Sequence, residues 1–116
     1  MAMGVFVAYA EVVRWHHKQV AYLLERMKLI REPNGNSLLD NSMVLMGGAI
    51  GDGNEHDALN LPTLIAGGGG GTIRTGRYIE HKEATDLAGI HLALMQRMGV
   101  SIDRLGSADA PYRDLT

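Results

Sequence analysis

The chain contains no cysteine among its 116 residues. This absence excludes a disulfide framework, a zinc site built on thiolates and a thiol nucleophile, and it leaves the redox compartment of the protein open. Any metal ion bound by this chain would have to be held by histidine, aspartate, glutamate or asparagine side chains.

Aromatic residues are also scarce, since only six residues are Phe, Trp or Tyr. The hydrophobic fraction is nevertheless 46%, which is far from the composition of a disordered chain. The core must therefore be filled mainly by aliphatic residues and by the seven methionines, which pack adaptably but specify shape poorly. We expect one α/β domain over residues 1–116, either complete or part of a longer protein, that needs a partner surface.

Excess positive charge is lacking, because the formal net charge is −2 and the basic residues are scattered along the sequence. Nucleic acid is therefore not an expected partner. No stretch approaches the roughly 20 apolar residues of a membrane span, and the apolar start lacks the basic flank of a signal peptide. We expect a soluble chain that does not enter a membrane.

Two segments have the apolar spacing of helices. The first runs from Val5 to about Arg31 without proline or glycine, and the turn-forming segment 33–36 (Pro-Asn-Gly-Asn) ends it. The second begins with Thr85 as the predicted N-cap and ends at Gly99. Its predicted buried face consists of Leu87, Ile90, Leu94, Met95 and Met98, and His91 beside it is expected to be a packed, hydrogen-bonded core histidine.

Two short apolar runs, Met43–Met46 and Leu61–Ala66, predict strands that are covered on both faces. Such strands usually belong to a sheet placed between helices, so the pattern favours a partial helix-sheet-helix layered domain with two or three buried strands. Residues 72–79 alternate more and would form an edge strand or hairpin arm bent at Gly76. The tail from Ser101 to Thr116 is expected to be an irregular strap over the surface.

The segment between the two strands holds the best candidate site. Asp52, Asn54 and His56 alternate, so an extended loop would bring their side chains to one side, where they could bind a divalent metal such as zinc or manganese. Aspartate and asparagine also cap turns by accepting bonds from nearby backbone N–H groups, and this simpler interpretation explains the same residue types.

Three further residues are candidates for binding an anionic substrate. Arg74 and Arg77 can grip an anion with bidentate contacts, or they can be the charged edge that protects a sheet. His81 is a surface residue that would come near the strand ends. The glycine run 67–71 lacks the lysine and the helix of a phosphate-binding loop, so a flexible turn is favoured.

The sequence as a whole resembles the C-terminal third of the domain of unknown function 1552 family. The resemblance rests on Leu38-Leu39-Asp40-Asn41-Ser42-Met43-Val44, Asp52-Gly53-Asn54-x-His56, Asn60-Leu61-Pro62, Gly76-Arg77 and Asp103-Arg104-Leu105-Gly106. Members of that family are several times longer and are generally exported. The family is also distantly similar to the alkaline phosphatase and sulfatase superfamily.

This resemblance implies a hydrolase-like α/β fold in which Asp52 and His56 carry metal and Asn54 supports them. It also implies that the nucleophile and the other metal ligands lie in an N-terminal portion that these residues do not include, so the chain alone would be inactive. Family members often have a second histidine where this chain has Ala58. The alternative is a noncatalytic structural or interaction module that self-associates through exposed apolar faces. The expected partner is therefore either the missing N-terminal portion or a second copy of the chain.

Overall fold

The computed structural model describes residues 2–116 and shows a small mixed α/β protein, as predicted. Its helices are α1 (Ala2–Leu29) and α2 (Leu87–Arg97), and its strands are β1 (Val44–Gly47) and β2 (Thr63–Ala66). The chain divides into two compact units, Met1–Leu39 and Asp40–Thr116. Within residues 2–116, no helix is long and apolar enough to cross a membrane.

The first unit consists of α1 and the turn that follows it. The predicted helix from Val5 to about Arg31 is confirmed, with its end at Leu29. Gly35 has a φ of 86° and donates its N–H to the carbonyl of Glu32 at 2.9 Å, which closes the turn predicted from the Pro-Asn-Gly-Asn sequence. The chain then returns along the helix end, where the N–H of Leu38 bonds to the carbonyl of Ile30 at 2.8 Å.

The two strands form an antiparallel hairpin, with Val44 paired to Ala66 and Gly47 paired to Thr63. Both predicted strands are confirmed to within two residues at each end. The prediction that they are covered on both faces is wrong, because their residues are half-buried or exposed. An antiparallel hairpin can leave a face in solvent, and an unbroken apolar run in the sequence does not distinguish this arrangement from a buried strand.

The third strand predicted at residues 72–79 is absent from the described chain, whose sheet has two strands. The reason lies in the backbone bonds of this segment. The N–H of Ile73 bonds to the carbonyl of Gly68 at 3.0 Å, and the N–H of Arg74 bonds to the carbonyl of Leu115 at 2.8 Å. The segment is therefore tied to the preceding turn and to the C-terminal tail, and a local alternation of residues could not reveal those partners.

The glycine run forms a short 3-10 turn at Gly69–Gly71 that follows β2. Its N–H groups are already occupied by backbone carbonyls, since Gly69 bonds to Ser42 at 3.0 Å and Gly70 bonds to Asp40 at 2.9 Å. Gly68 permits this close approach, because a Cβ there would lie 2.6 Å from the carbonyl oxygen of Asp40. The turn therefore serves packing, and these two amides are not available to an anion.

Helix α2 begins one residue later than predicted, with Asp86 instead of Thr85 as the N-cap. The Asp86 side chain accepts a hydrogen bond from the N–H of Ala88 at 2.9 Å. The predicted C-terminal glycine is confirmed, because Gly99 has a φ of 87° and its N–H bonds to the carbonyl of Gln96 at 3.0 Å.

The buried face of α2 differs from the predicted one. Leu92 is completely buried, together with Ala93 and Gly89, whereas the predicted face is half-buried and Met98 is exposed. The prediction that His91 is a packed core histidine is wrong, since this side chain is exposed. The C-terminal tail contributes to this change, because it lies against Gly89, whose carbonyl accepts a hydrogen bond from the N–H of Tyr112 at 2.9 Å.

The tail is irregular, as predicted, and its largest side chains are not its buried ones. Ala108 and Leu115 are buried, whereas Ile102, Leu105 and Tyr112 are half-buried. The side chain of Gln96 holds the tail at its start by donating to the carbonyl of Ile102 at 2.8 Å. Together, α2 and the tail form the core of the second unit.

Candidate metal loop and the cleft at the start of helix α2

The loop that joins β1 to β2 brings the predicted metal residues onto one tight turn. Asp52 and Asp57 pair as an isolated antiparallel bridge, and the N–H of Gly51 bonds to the carbonyl of Asp57 at 2.6 Å. A Cβ at Gly51 would collide with the carbonyl oxygen of Leu59, so this close crossing requires glycine. The crossing closes the loop on itself and fixes the residues between its ends.

Asp52 organises the loop through one of its two carboxylate oxygens. Oδ1 accepts hydrogen bonds from the N–H of Asn54 at 2.8 Å and from the N–H of Glu55 at 3.0 Å. The Glu55 amide, followed by the Asn54 amide and the nearby charge of His56, holds the pKa of Asp52 below its ordinary value of 3.8 despite a small opposing desolvation. Asp52 is therefore ionised at neutral pH.

His56 is held close to Asp52 by the backbone. Its φ of 54° is unusual for a residue with a side chain, and its N–H bonds to the carbonyl of Asp52 at 2.9 Å. The ring nitrogen Nδ1 lies 3.2 Å from the carbonyl oxygen of Asn54. In the tautomer in which Nδ1 donates to this carbonyl, Nε2 is the nitrogen left to bind a ligand.

Asn54 has a different role from the one predicted for its side chain. Its amide nitrogen Nδ2 donates to Oε1 of Glu55 at 2.9 Å. The contributions of Asn54 to the other two residues come from its backbone, through its N–H to Asp52 and its carbonyl to His56. The loop thus has the turn chemistry that the simpler interpretation of the sequence predicted.

The loop by itself offers few metal donors. The side chains of Asp52, Asn54 and His56 are all exposed, and within residues 2–116 no group of three or more His, Asp or Glu side chains is placed to hold a metal. Oδ2 of Asp52 and Nε2 of His56 have no hydrogen-bond partner in the part of the chain that the structure describes. These two atoms are suitable donors for zinc or manganese, and further ligands would have to come from elsewhere.

The residues predicted to bind an anionic substrate contact the C-terminal tail. The Arg77 guanidinium donates to the carbonyl of Arg74 at 3.2 and 3.0 Å and to the carbonyl of Asp114 at 2.8 Å. Nε2 of His81 and the hydroxyl of Tyr112 are 2.9 Å apart. Within residues 2–116, no hydrogen bond joins Arg74, Arg77 or His81 to the loop of Asp52. Their role in substrate binding stays a prediction.

A cleft of about 330 Å³ lies at the start of α2 and is lined by His81, Asp86, Ser107 and Tyr112, among other residues. The Ser107 hydroxyl donates to Oδ2 of Asp86, and this bond, followed by the Ala88 amide, holds the pKa of Asp86 below its ordinary value of 3.8. Burial, followed by the charge of Asp114, raises the pKa of Tyr112 above 10.0.

Of the residues that line this cleft, only His81 was predicted from the sequence to belong to a site. The N-cap rule could have identified Asp86, because aspartate before an apolar periodic segment is a strong helix start signal. Nothing in the tail sequence placed Ser107 or Tyr112 beside it, since both reach α2 through an irregular connection that has no periodicity to interpret.

Comparison with known proteins identifies no relative, since no family model, no curated protein and no solved structure matches the chain. The resemblance to the domain of unknown function 1552 family therefore stays a prediction.

Proposed function

We propose that the chain supplies part of the metal site of a phosphatase-like or sulfatase-like hydrolase, and that the site is completed by another polypeptide segment. The observation that supports this proposal is the ordering of the Asp52 loop. Asp52 is ionised and fixed by two backbone amides through Oδ1, and His56 is oriented through Nδ1 toward a backbone carbonyl. A backbone carbonyl that orients a ligating histidine is a common arrangement around protein-bound metals.

The donor set fits a divalent metal in part. Carboxylate oxygen and imidazole nitrogen are ligands that both zinc and manganese accept, but two protein donors are fewer than the three that catalytic zinc sites usually have. A bound metal would lower the pKa of a coordinated water or polarise an ester oxygen. In this proposal Asp52 and His56 hold the ion, the backbone of Asn54 orients both, and the isolated chain is inactive.

Metal titration of the full chain tests the proposal. We expect zinc or manganese to raise the melting temperature by roughly 2–5 °C, because ligand binding to the folded state stabilises it by mass action. The combined variant Asp52→Ala and His56→Ala should lose this shift. An unmutated chain whose melting temperature does not respond to either metal would contradict the proposal.

A matched control separates the loop from adventitious binding to surface histidines. His17 is exposed and belongs to α1, where its Nδ1 lies 2.8 Å from the carbonyl oxygen of Val13. His17→Ala should keep the full metal shift. If the metal-induced rise in melting temperature disappears in His17→Ala but persists in the loop variant, the metal binds at α1 and the proposal is contradicted.

A second function, that of a noncatalytic interaction module, is favoured by a separate observation. The hydrophobic residues that are buried within residues 4–116, where burial is described, are only Leu92, Ala93, Ala108 and Leu115. Many large apolar side chains are exposed, and Tyr78 is exposed to 89%. A stable soluble protein rarely leaves so much apolar surface without a use, so we propose that this surface binds protein. Both functions agree with a chain that works together with a partner.

A further inference from the structure

Helix α1 has a regular apolar seam, which we define as seven positions separated alternately by three and four residues. This spacing averages 3.5 residues and is the pattern of helices that pair with another long helix. None of the seven is Asp, Glu, Lys or Arg, and only one is polar. The seam consists of Phe6, Tyr9, Val13, His16, Val20, Leu23 and Met27.

The seam is accessible. Phe6 is exposed to 57%, Leu23 is exposed to 48%, and Val13, Val20 and Met27 are half-buried. Most charged side chains of α1 lie away from the seam, where Glu11 and Arg14 form an ion pair at 3.5 Å, whereas Arg26 is at a position that flanks it. Outside the seam, α1 carries charged residues and also exposed apolar residues such as Trp15 and Tyr22. The seam is therefore distinguished by its regular spacing and by having no charged residue.

We infer that the occupant of this seam is α1 of a second copy of the chain. A helix of 28 residues is about 42 Å long, whereas α2 has 11 residues and would span only about 16 Å. Within residues 2–116, α1 is thus the only helix long enough to cover the whole seam. A specific interface needs on the order of 800 Å² per partner, and a long helix supplies such an area more readily than a short one.

The charges of α1 favour antiparallel pairing. The last turn carries Arg26 and Lys28, whereas residues 2–10 contain no charged side chain. A parallel pair would place the two basic ends side by side, whereas an antiparallel pair places each beside an uncharged segment. Antiparallel helices also set the negative end of each dipole beside the positive end of the other.

In the antiparallel register that places Tyr9 opposite Met27 of the second copy, Val13 lies opposite Leu23 of the second copy and His16 lies opposite Val20 of the second copy. His16 is the one polar residue in this otherwise apolar interface. Its Nδ1 lies 2.8 Å from the carbonyl oxygen of Val12, which leaves Nε2 directed away from that bond. A polar group at one position of an apolar seam lowers the stability of pairing while restricting its register.

Sedimentation of the full chain over about a hundredfold concentration range tests the pairing. We expect a monomer–dimer equilibrium that Leu23→Asp weakens by at least about tenfold, because it places a carboxylate in the apolar seam. Lys18→Asp, on the charged face of the same helix, should leave the equilibrium unchanged. His16→Leu should strengthen it. Circular dichroism of each variant verifies that the helix still forms.

The orientation has its own test, because the chain has no cysteine to interfere. Val13→Cys and Leu23→Cys, each in its own preparation, should form few disulfide-linked dimers alone and should cross-link efficiently when mixed. Efficient cross-linking of Val13→Cys with itself would show parallel pairing and overturn the antiparallel arrangement.

This inference rests on the interaction function proposed above and is independent of the metal loop. A chain that stays monomeric at every concentration would overturn the pairing of α1 while leaving the interaction function to a different partner. An oligomer that responds equally to Leu23→Asp and Lys18→Asp, or to neither, would support self-association but overturn the assignment of its surface to the seam.

Discussion

Helices α1 and α2 show two different ways in which a segment of this chain becomes helical. The long helix α1 has 28 residues, and Leu29 at its end is exposed to 72%. The short helix α2 has 11 residues, and Leu92 at its centre is exposed to 0%. Isolated helices shorter than about 12–15 residues are marginal in water, so α2 depends on tertiary packing. Helix α1 is long enough to rely more on its own sequence.

The tail supplies that packing to α2 at several points along the helix. Ser107 bonds to the N-cap Asp86, Tyr112 bonds to Gly89, and Ile102 accepts from Gln96. Near the C-terminal end, the Arg97 guanidinium also bonds to the carbonyl of Thr72, at 3.4 Å. A substitution in α2 should therefore act on the whole second unit, whereas a substitution in the seam of α1 should act on the proposed association.

The largest effect expected from this difference is that of Leu92→Ala. Removing a fully buried leucine side chain should lower the free energy of unfolding by about 2–5 kcal/mol, since it removes apolar contacts and leaves a cavity. Chemical denaturation measures this change. Leu29→Ala, the same substitution at the end of α1, should cost less than about 0.5 kcal/mol. If the two substitutions lowered the free energy of unfolding equally, α1 and α2 would not differ in their dependence on tertiary packing.

A smaller effect is expected from Asp86→Ala, which removes both the N-cap of α2 and the acceptor of Ser107. The melting temperature should fall by roughly 3–6 °C, less than for Leu92→Ala. The comparison variant is Asp86→Asn, which keeps a capping oxygen but removes the titrating carboxyl group. At neutral pH, Asp86→Asn should retain more of the stability than Asp86→Ala does.

The same carboxylate predicts a response to acid. Because the folded pKa of Asp86 lies below 3.8, its stabilising contribution is present above that pH and is lost as the pH falls through the folded pKa. The melting temperatures of the unmutated chain and of Asp86→Asn should therefore differ at neutral pH and converge as the pH falls into the acid range. A constant difference between the two at every pH would contradict the stabilisation of the ionised form.

The smallest effect is expected from Tyr112→Phe, which removes the hydroxyl that bonds to His81. The loss should be up to about 1 kcal/mol, the usual net contribution of one hydrogen bond. The folded pKa of Tyr112 lies above 10.0, so its contribution is present below that pH and is lost as the pH rises through the folded pKa. The melting temperature of the unmutated chain should decline as the pH is raised into the alkaline range, and the decline should be smaller in Tyr112→Phe.

The sequence predicted the structure correctly where interactions between residues close together in the chain determine it. The extent of α1 followed from uninterrupted helical spacing, and its end followed from the residues at 33–36, because proline and Asn-Gly act on their immediate neighbours. The two strands and the C-terminal Gly99 of α2 were found in the same way. The turn formed by Asp52 was also foreseen as one of two interpretations, since an aspartate side chain reaches backbone amides two and three residues later.

The errors arose where a distant segment decides the environment of a residue. His91 was predicted to be packed because apolar residues surround it in the sequence, but the tail covers the opposite side of α2. The strand predicted near Ile73 did not form, since the backbone partner of Arg74 is Leu115 at the end of the chain. Neither partner could be inferred from the residues nearby, because the pairing depends on how an irregular tail folds back.

The sequence by itself determined the two helices, the two strands and the turn after α1 to within a few residues, since spacing, proline, glycine and capping side chains act over a short range. It also brought Asp52 and His56 onto one loop, because only four positions separate them. Tertiary structure alone decided which face of α2 is buried, which residues line the cleft at its start, and which nitrogen of His81 meets Tyr112. These depend on contacts between residues far apart in the chain, and the free energy of those contacts has no local signature in the sequence.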